Sequence, residues 1–373
     1  MKKVLLSSLA LCLIVSSCSN NDLLNSQMSG ENSPAAQIAI KDTPRLRKAR
    51  AVAFVGQNPN LFGSNVMIFE SYAELDTTLN HIQEMDHKAL RAWATENNVQ
   101  NDILESNIIY NEEWDKAWEV YNATPQDIQI SLQSFPGITR PAESIADKVL
   151  DSFFDAMQKK YPQYLQEYDT LGEHYIESLG ALGEEALVNE KNLFLVGDEV
   201  HRFYKDGFVL CAMKDYEQIA QYNTKAEVMN YVATLQNNQQ KAPQVSAAYF
   251  DNDKDFTETS GKYRMNISFT VGQIHTIFGT DMRHLDVRIK NYHKNSRGSW
   301  IGIACKTKLN LSVETSSTFN KQYTFNVSRN GYILSSHRRY TKTISNPGRY
   351  AMLTSYNLNA TNQHKLQIKS INQ

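Results

Sequence analysis

"YRMNISFTV", residues 263 to 271, places Tyr263, Met265, Ile267, Phe269 and Val271 on one side of an extended chain, with polar residues between them. A period of two is the mark of a strand with one buried face. The pattern returns in Leu285, Val287 and Ile289, in Leu309, Leu311 and Val313, and in Tyr323, Phe325 and Val327, and it ends with Leu366 and Ile368. Asn330-Gly331 is a strong hairpin signal, and "SNPG" at 345 to 348 marks another turn. Short strands at this spacing predict an antiparallel β-sandwich, or less well a barrel, over residues 261–373.

Upstream the texture changes. Residues 46–245 are mixed and mostly helical. "VMIF" at 66–69 reads as a strand, and Ser71 with Glu74 forms a capping box ahead of Leu75, Leu79 and Ile82. Asn111 is placed to cap a helix carrying Trp114, Trp118 and Tyr121. A longer helix over 142–160, with Pro141 in its first turn, turns Ile145, Val149, Leu150, Phe153, Phe154 and Met157 to a core. Thr224 and Glu227 start another helix. Between them, residues 186–213 carry turn signals at Gly197-Asp198 and Asp206-Gly207, which predicts a small antiparallel meander. The fold class expected is α+β: a mostly helical domain with a meander, an acidic linker at 246–260, then the sandwich.

Net charge is −2, but its distribution is uneven. Residues 261–373 hold 17 Lys plus Arg against three acids (Asp281, Asp286, Glu314), a balance of +14; the other 260 residues hold 21 bases and 37 acids, a balance of −16, and the two sums return −2. Three readings follow. The basic sandwich binds an anionic polymer such as an acidic polysaccharide or lipopolysaccharide, it docks on the acidic body of its own chain, or its charges are solvated strand faces. Within "SSHRRYTK", 335–342, Arg338, Arg339 and Lys342 are the polyanion candidates; nothing in the pattern points to a specific nucleic acid.

The N-terminus supplies an address. Lys2 and Lys3 precede an apolar run from Val4 to Val15, too short for the about 20 residues of a bilayer span and suited to a signal peptide. Val15, Ser16, Ser17 and Cys18 then resemble the lipobox of bacterial lipoproteins. That resemblance implies cleavage after residue 17 and acylation of Cys18, with several acyl chains giving a lasting anchor. Ser19 behind the cysteine implies the outer membrane, while Asn20, Asn21 and Asp22 add only one acid, so the face stays open. Residues 18–45 are polar, with Gly and Pro, and read as a flexible tether. Together with "ALVNEKNLFLVGDEVHRFYKDGFVLCAM", the segment is similar to uncharacterised secreted lipoproteins of Bacteroides and related gut Bacteroidota, which carry domains of unknown function. This implies a compartment and no activity.

Sites for chemistry are sparse. Asp251, Asp253 and Asp255 are spaced like calcium-loop ligands, but Phe256 stands where an EF-hand loop needs glycine and Lys262 where it needs glutamate, so a solvated linker is the preferred reading. Cys211 and Cys305 lie in apolar stretches and either form one disulfide or, the preferred reading, are separate buried thiols. His201 and His337 are expected at the surface. Glu112, Glu113, Glu184 and Glu185 read as solvated helix faces rather than glycosidase acids. Asp76-Thr77-Thr78 and Asp169-Thr170-Leu171 resemble a short O-glycosylation motif of Bacteroidota. No cofactor motif is present. A lipid-anchored, non-enzymatic binding or structural module is therefore the leading expectation. A secreted hydrolase with its site between the two domains comes second, and a pore-forming or polyanion-binding surface protein third.

Overall fold

The computed structural model describes residues 43–125, 129–130, 143–179, 182–246, 249–275, 281–316, 323–333, 335–344 and 352–372. The signal segment, Cys18, most of the tether, Pro141 and the "SNPG" turn lie outside them.

Thr43 caps α1 (Pro44–Gln57), accepting from Leu46 N, with proline at the first position where no N–H is needed. After α2 (Pro59–Phe62) and β1 (Ile68–Phe69), Ser71 caps α3 (Tyr72–Glu84), which buries Leu75, Leu79 and Ile82 as their spacing predicts. Asp86 caps α4 (His87–Glu96). The next helix, α5 (Asp102–Ala123), starts at Asn101 rather than near Asn111. Asn111 sits inside it and donates its side-chain amide to Asn107 O at 2.9 Å. The apolar stripe before Asn111, Leu104 and Ile108, faces the core and carries the helix through that cap-like residue. The paired β2 (Gln129–Ile130) and β3 (Glu143–Ser144) lead into α6 (Ile145–Lys160), which buries Leu150, Phe153, Phe154 and Met157.

Next come β4 (Leu165–Thr170) and β5 (Glu173–Ser178), an antiparallel pair. The meander follows as expected: β6 (Leu193–Val196), β7 (Glu199–Tyr204) and β8 (Gly207–Ala212), turning at Gly197 with φ +61° and just before Gly207 with φ +128°. Short α7 (Tyr216–Ile219) precedes α8 (Lys225–Asn237), which opens with the Thr224/Glu227 capping box, and β9 (Val245–Ser246) follows. The sheet order is β1-β6-β7-β8-β9, with β1 parallel to β6.

The rest is strand. In order come β10 (Tyr249–Ser260), β11 (Tyr263–His275), β12 (Asp281–Lys294), β13 (Trp300–Gly302) and β14 (Cys305–Ser316), then β15 (Tyr323–Ile333), β16 (Ser335–Ile344), β17 (Met352–Asn362) and β18 (Gln367–Asn372). Strands β10-β11-β12-β16 form one sheet and β15-β14-β17-β18 the other. Between them the alternating residues read from sequence make one core, from Met265 through Val313 and Phe325 to Ile368. The fold is α+β, and this part is a two-sheet sandwich.

Three expectations are corrected. Residues 246–260 are no linker: β10 fills most of them and pairs along its length with β11. Asp253 and Asp255 lie on the open face of this sheet-edge strand, opposite Thr270 and Ser268, while Phe256 packs on the core. Asn330-Gly331 makes no hairpin, since both residues lie inside β15 opposite Lys308 and Thr307, and the long ladder with β14 overrides the local turn preference. The helical part and the sandwich also share a sheet. The last residues of β12 pair with β13, and β13 pairs in parallel with β5 (Trp300↔Tyr175, Ile301↔Ile176). Helices α5 and α6 cover this junction, packing Tyr110, Trp114, Phe153 and Phe154 on Ile176, Ile301 and Ile303. Among the described residues no helix is long and apolar enough to cross a membrane.

Candidate functional site

Where the helices meet the sandwich, a cleft of about 220 Å³ is lined by Gln83 to His87, by Asn111 and Asp115 of α5, and by Ser328 to Gly331 of β15. Local chemistry builds its floor. Helix α3 stops at Glu84, Met85 is extended, and Asp86 accepts from Ala89 N at 2.8 Å, so α4 restarts two residues later with His87 at its first position. That backbone hydrogen bond holds the Asp86 carboxyl below its usual range. His87 Nδ1 lies 3.2 Å from Asp115 Oδ2, and burial raises the Asp115 carboxyl while His87 opposes the rise. Behind them, Arg91 bridges Glu105 and Glu112 at 3.2 Å each, tying α4 to α5.

The far wall comes from the sandwich. Arg329 crosses the gap, its Nη2 donating to Gln83 Oε1 and its Nε to Tyr340 OH at 3.0 Å. Gln83 passes the tie on through Nε2 to Leu182 O at 2.5 Å. On the Cβ side of Gly331 the space is open, since an added Cβ would meet no described atom within 4 Å. The cleft thus combines carboxylates, an imidazole, amides and a guanidinium. It is smaller than the about 300–1,000 Å³ of drug-sized sites, and suits a polyhydroxylated or zwitterionic ligand of one-ring size.

The expected residues fall elsewhere. Cys18 lies outside the described residues. Arg338, Arg339 and Lys342 are in β16, in register with Val287, Asp286 and Arg283, and their side chains lie outside what is described. Asp251, Asp253 and Asp255 are on β10, where a register shift puts Asp251 on the other face from Asp253, and extended backbone spreads Asp253 and Asp255 about 7 Å apart instead of converging them. Asp253 accepts from Thr270 Oγ1 at 2.6 Å. Among the described residues no three metal-ligating side chains come together. Cys211 and Cys305 form no disulfide: both are free, buried and in different apolar clusters. Glu112 and Glu113 are helix-face carboxylates bridged to Lys116, whereas Glu184 is buried. Asp76-Thr77-Thr78 is helical, and Asp169-Thr170-Leu171 ends at an exposed turn.

Two polar clusters escape sequence reading. His201, expected at the surface, is 1% exposed. Its Nε2 lies 3.1 Å from Tyr72 OH and 3.3 Å from Glu199 Oε1, its ring stacks on Phe194, and Tyr72 OH also donates to Glu199. At the β5–β13 junction, Glu177 accepts from Lys290 Nζ at 2.5 Å and from Tyr292 OH at 3.0 Å. Arg264 pairs with Glu173 there, and Arg297 with Asp155 at 2.7 Å. In each of these three ion pairs the acid comes from the acidic body and the base from the basic sandwich. Alternation alone could not have found the partners, because they are 91 to 142 residues apart.

Compared with known proteins, the chain matches no family model and no curated protein.

Proposed function

We propose that this chain is a lipid-anchored protein of the bacterial envelope, held through Cys18 at the outer membrane, whose body is a non-enzymatic binding module. The observation that carries the binding role is the cleft walled jointly by α3–α5 and β15, where Arg329 links the two parts. Its mix of donors and acceptors supports a small polar ligand, such as a sugar. The signal run, the lipobox and the polar tether support the anchor. Ion pairs between the acidic body and the sandwich support intramolecular docking as one use of the charge split. Testing takes two arms. Cys18→Ser should leave the protein unprocessed or soluble, and a variant that matures and partitions into detergent like the parent rules the anchor out. A sugar and amino-acid panel scored by thermal shift should yield a ligand whose effect disappears in Asn111→Leu; a ligand retained by that variant rules out the cleft.

A second reading, a hydrolase, rests on one observation: His87 and Asp115 form an imidazole–carboxylate pair in that cleft. Hydrolysis that survives purification and is abolished in His87→Gln would favour it over simple binding.

A further inference from the structure

At the end of the sandwich where β12 begins, the core does not finish in apolar side chains. Gln273, Arg283, Thr315 and Tyr323 continue the inward series of β11, β12, β14 and β15. Arg283 is 0% exposed. Its Nη1 donates to Thr315 Oγ1 at 3.0 Å and to Ser316 O at 2.9 Å, and its guanidinium lies 4.8 Å from the Tyr323 ring centre. Among the described residues, Nε and Nη2 have no hydrogen-bond partner.

Those two donors form the side-on edge of the guanidinium, the edge that grips both oxygens of a carboxylate in parallel. An unmatched buried cation is costly, and buried donors are nearly always paired, so an empty edge here needs a reason. The chain offers little to fill it. The segments that follow β11, β14 and β16, residues 276–280, 317–322 and 345–351, contain Lys321 and Arg349 but neither Asp nor Glu. Lys342 is the register partner of Arg283 on β16. Asp281, two positions earlier on β12, has its side chain outside the described residues.

We propose that Arg283 anchors an oxyanion site at this end of the sandwich and takes the carboxylate of an acidic ligand such as a uronic acid. Thr315 and Ser316 fix the guanidinium by Nη1 so that its Nε/Nη2 edge is presented ready to bind. Because the side chain is buried, bound and free forms should exchange slowly. The site is separate from the cleft, and its test does not depend on what the cleft holds.

The test uses the whole chain without its signal segment. Galacturonate is the carboxylate probe, galactose the neutral control and inorganic phosphate the tetrahedral control, each followed by calorimetric titration. Galacturonate should bind saturably and galactose should not. Arg283→Lys keeps the charge but loses the side-on edge, and should weaken galacturonate at least tenfold. Equal affinity in that variant, no binding by the parent, or phosphate binding that galacturonate cannot displace would each overturn the proposal. Should the variant fail to fold, the Nε–H resonance of Arg283 in the parent decides. A new Nε–H signal growing in with galacturonate supports the site, and an unchanged one sinks it.

Discussion

Arg264 holds Glu173 with both arms of its guanidinium, Nη1 to Oε2 at 2.5 Å and Nη2 to Oε1 at 3.2 Å, while lying 4.0 Å from the centre of the Trp300 ring. One residue belongs to the β11 strand of the sandwich and the other to β5, so the pair clamps the junction made by β13. The arginine, helped by Trp300, holds the Glu173 carboxyl down at about 2. A depressed carboxylate stabilises the fold fully above its ordinary value near 4.5, and that stabilisation is lost as pH falls towards 2. Melting temperature followed from pH 6 to pH 2.5 should therefore drop more steeply for the parent than for Glu173→Gln. Parallel curves would mean that solvent screening leaves the pair without effect.

Arg329 should matter twice. Replacing it with Met removes its ties to Gln83 and Tyr340 while keeping most of its stem. Urea unfolding should show a loss of about 1 kcal/mol. Any ligand of the cleft should bind more weakly in the same variant, because the wall from β15 is no longer fastened to α3.

Tyr110 is wholly buried, and its hydroxyl donates to Gly302 O at 2.6 Å. Tyr110→Phe keeps the ring against Phe153 and strips the carbonyl of that donor, at a cost of about 1–3 kcal/mol. A change within about 0.3 kcal/mol in equilibrium unfolding would show that another donor replaces it.

Cys211 and Cys305 should be unreactive in the native protein. Both thiols are buried, and burial pushes each one up, so almost no thiolate exists at neutral pH. An aromatic disulfide reagent should label neither until denaturant is added, and then both. Fast labelling of either in native buffer would contradict the packing around it.

Alternation made the sandwich legible. Each inward residue of β11, β12, β14 and β15 named from the period of two is in the core or against it, except Tyr323, whose ring lies by Arg283. The meander was legible because Gly197 and Gly207 need positive φ. Asn330-Gly331 misled because a dipeptide's turn preference is small beside a ladder that continues past it. The cleft was not legible at all. His87, Asp115 and Arg329 are ordinary surface-type residues in sequence and meet only through packing of α4, α5 and β15. Arg283 was equally hidden, since one basic residue among 17 in the sandwich carries no local mark of burial.

The parallel pairing of β5 with β13 also governs the order in which the molecule can form. During synthesis the β4–β5 hairpin emerges long before residues 300–302, and until they arrive β5 has an open edge and a large loop still to close. Distant closure of this kind slows folding and prolongs exposure of an adhesive strand. A chain halted before residue 300 should therefore collect on chaperones rather than settle as a finished helical half.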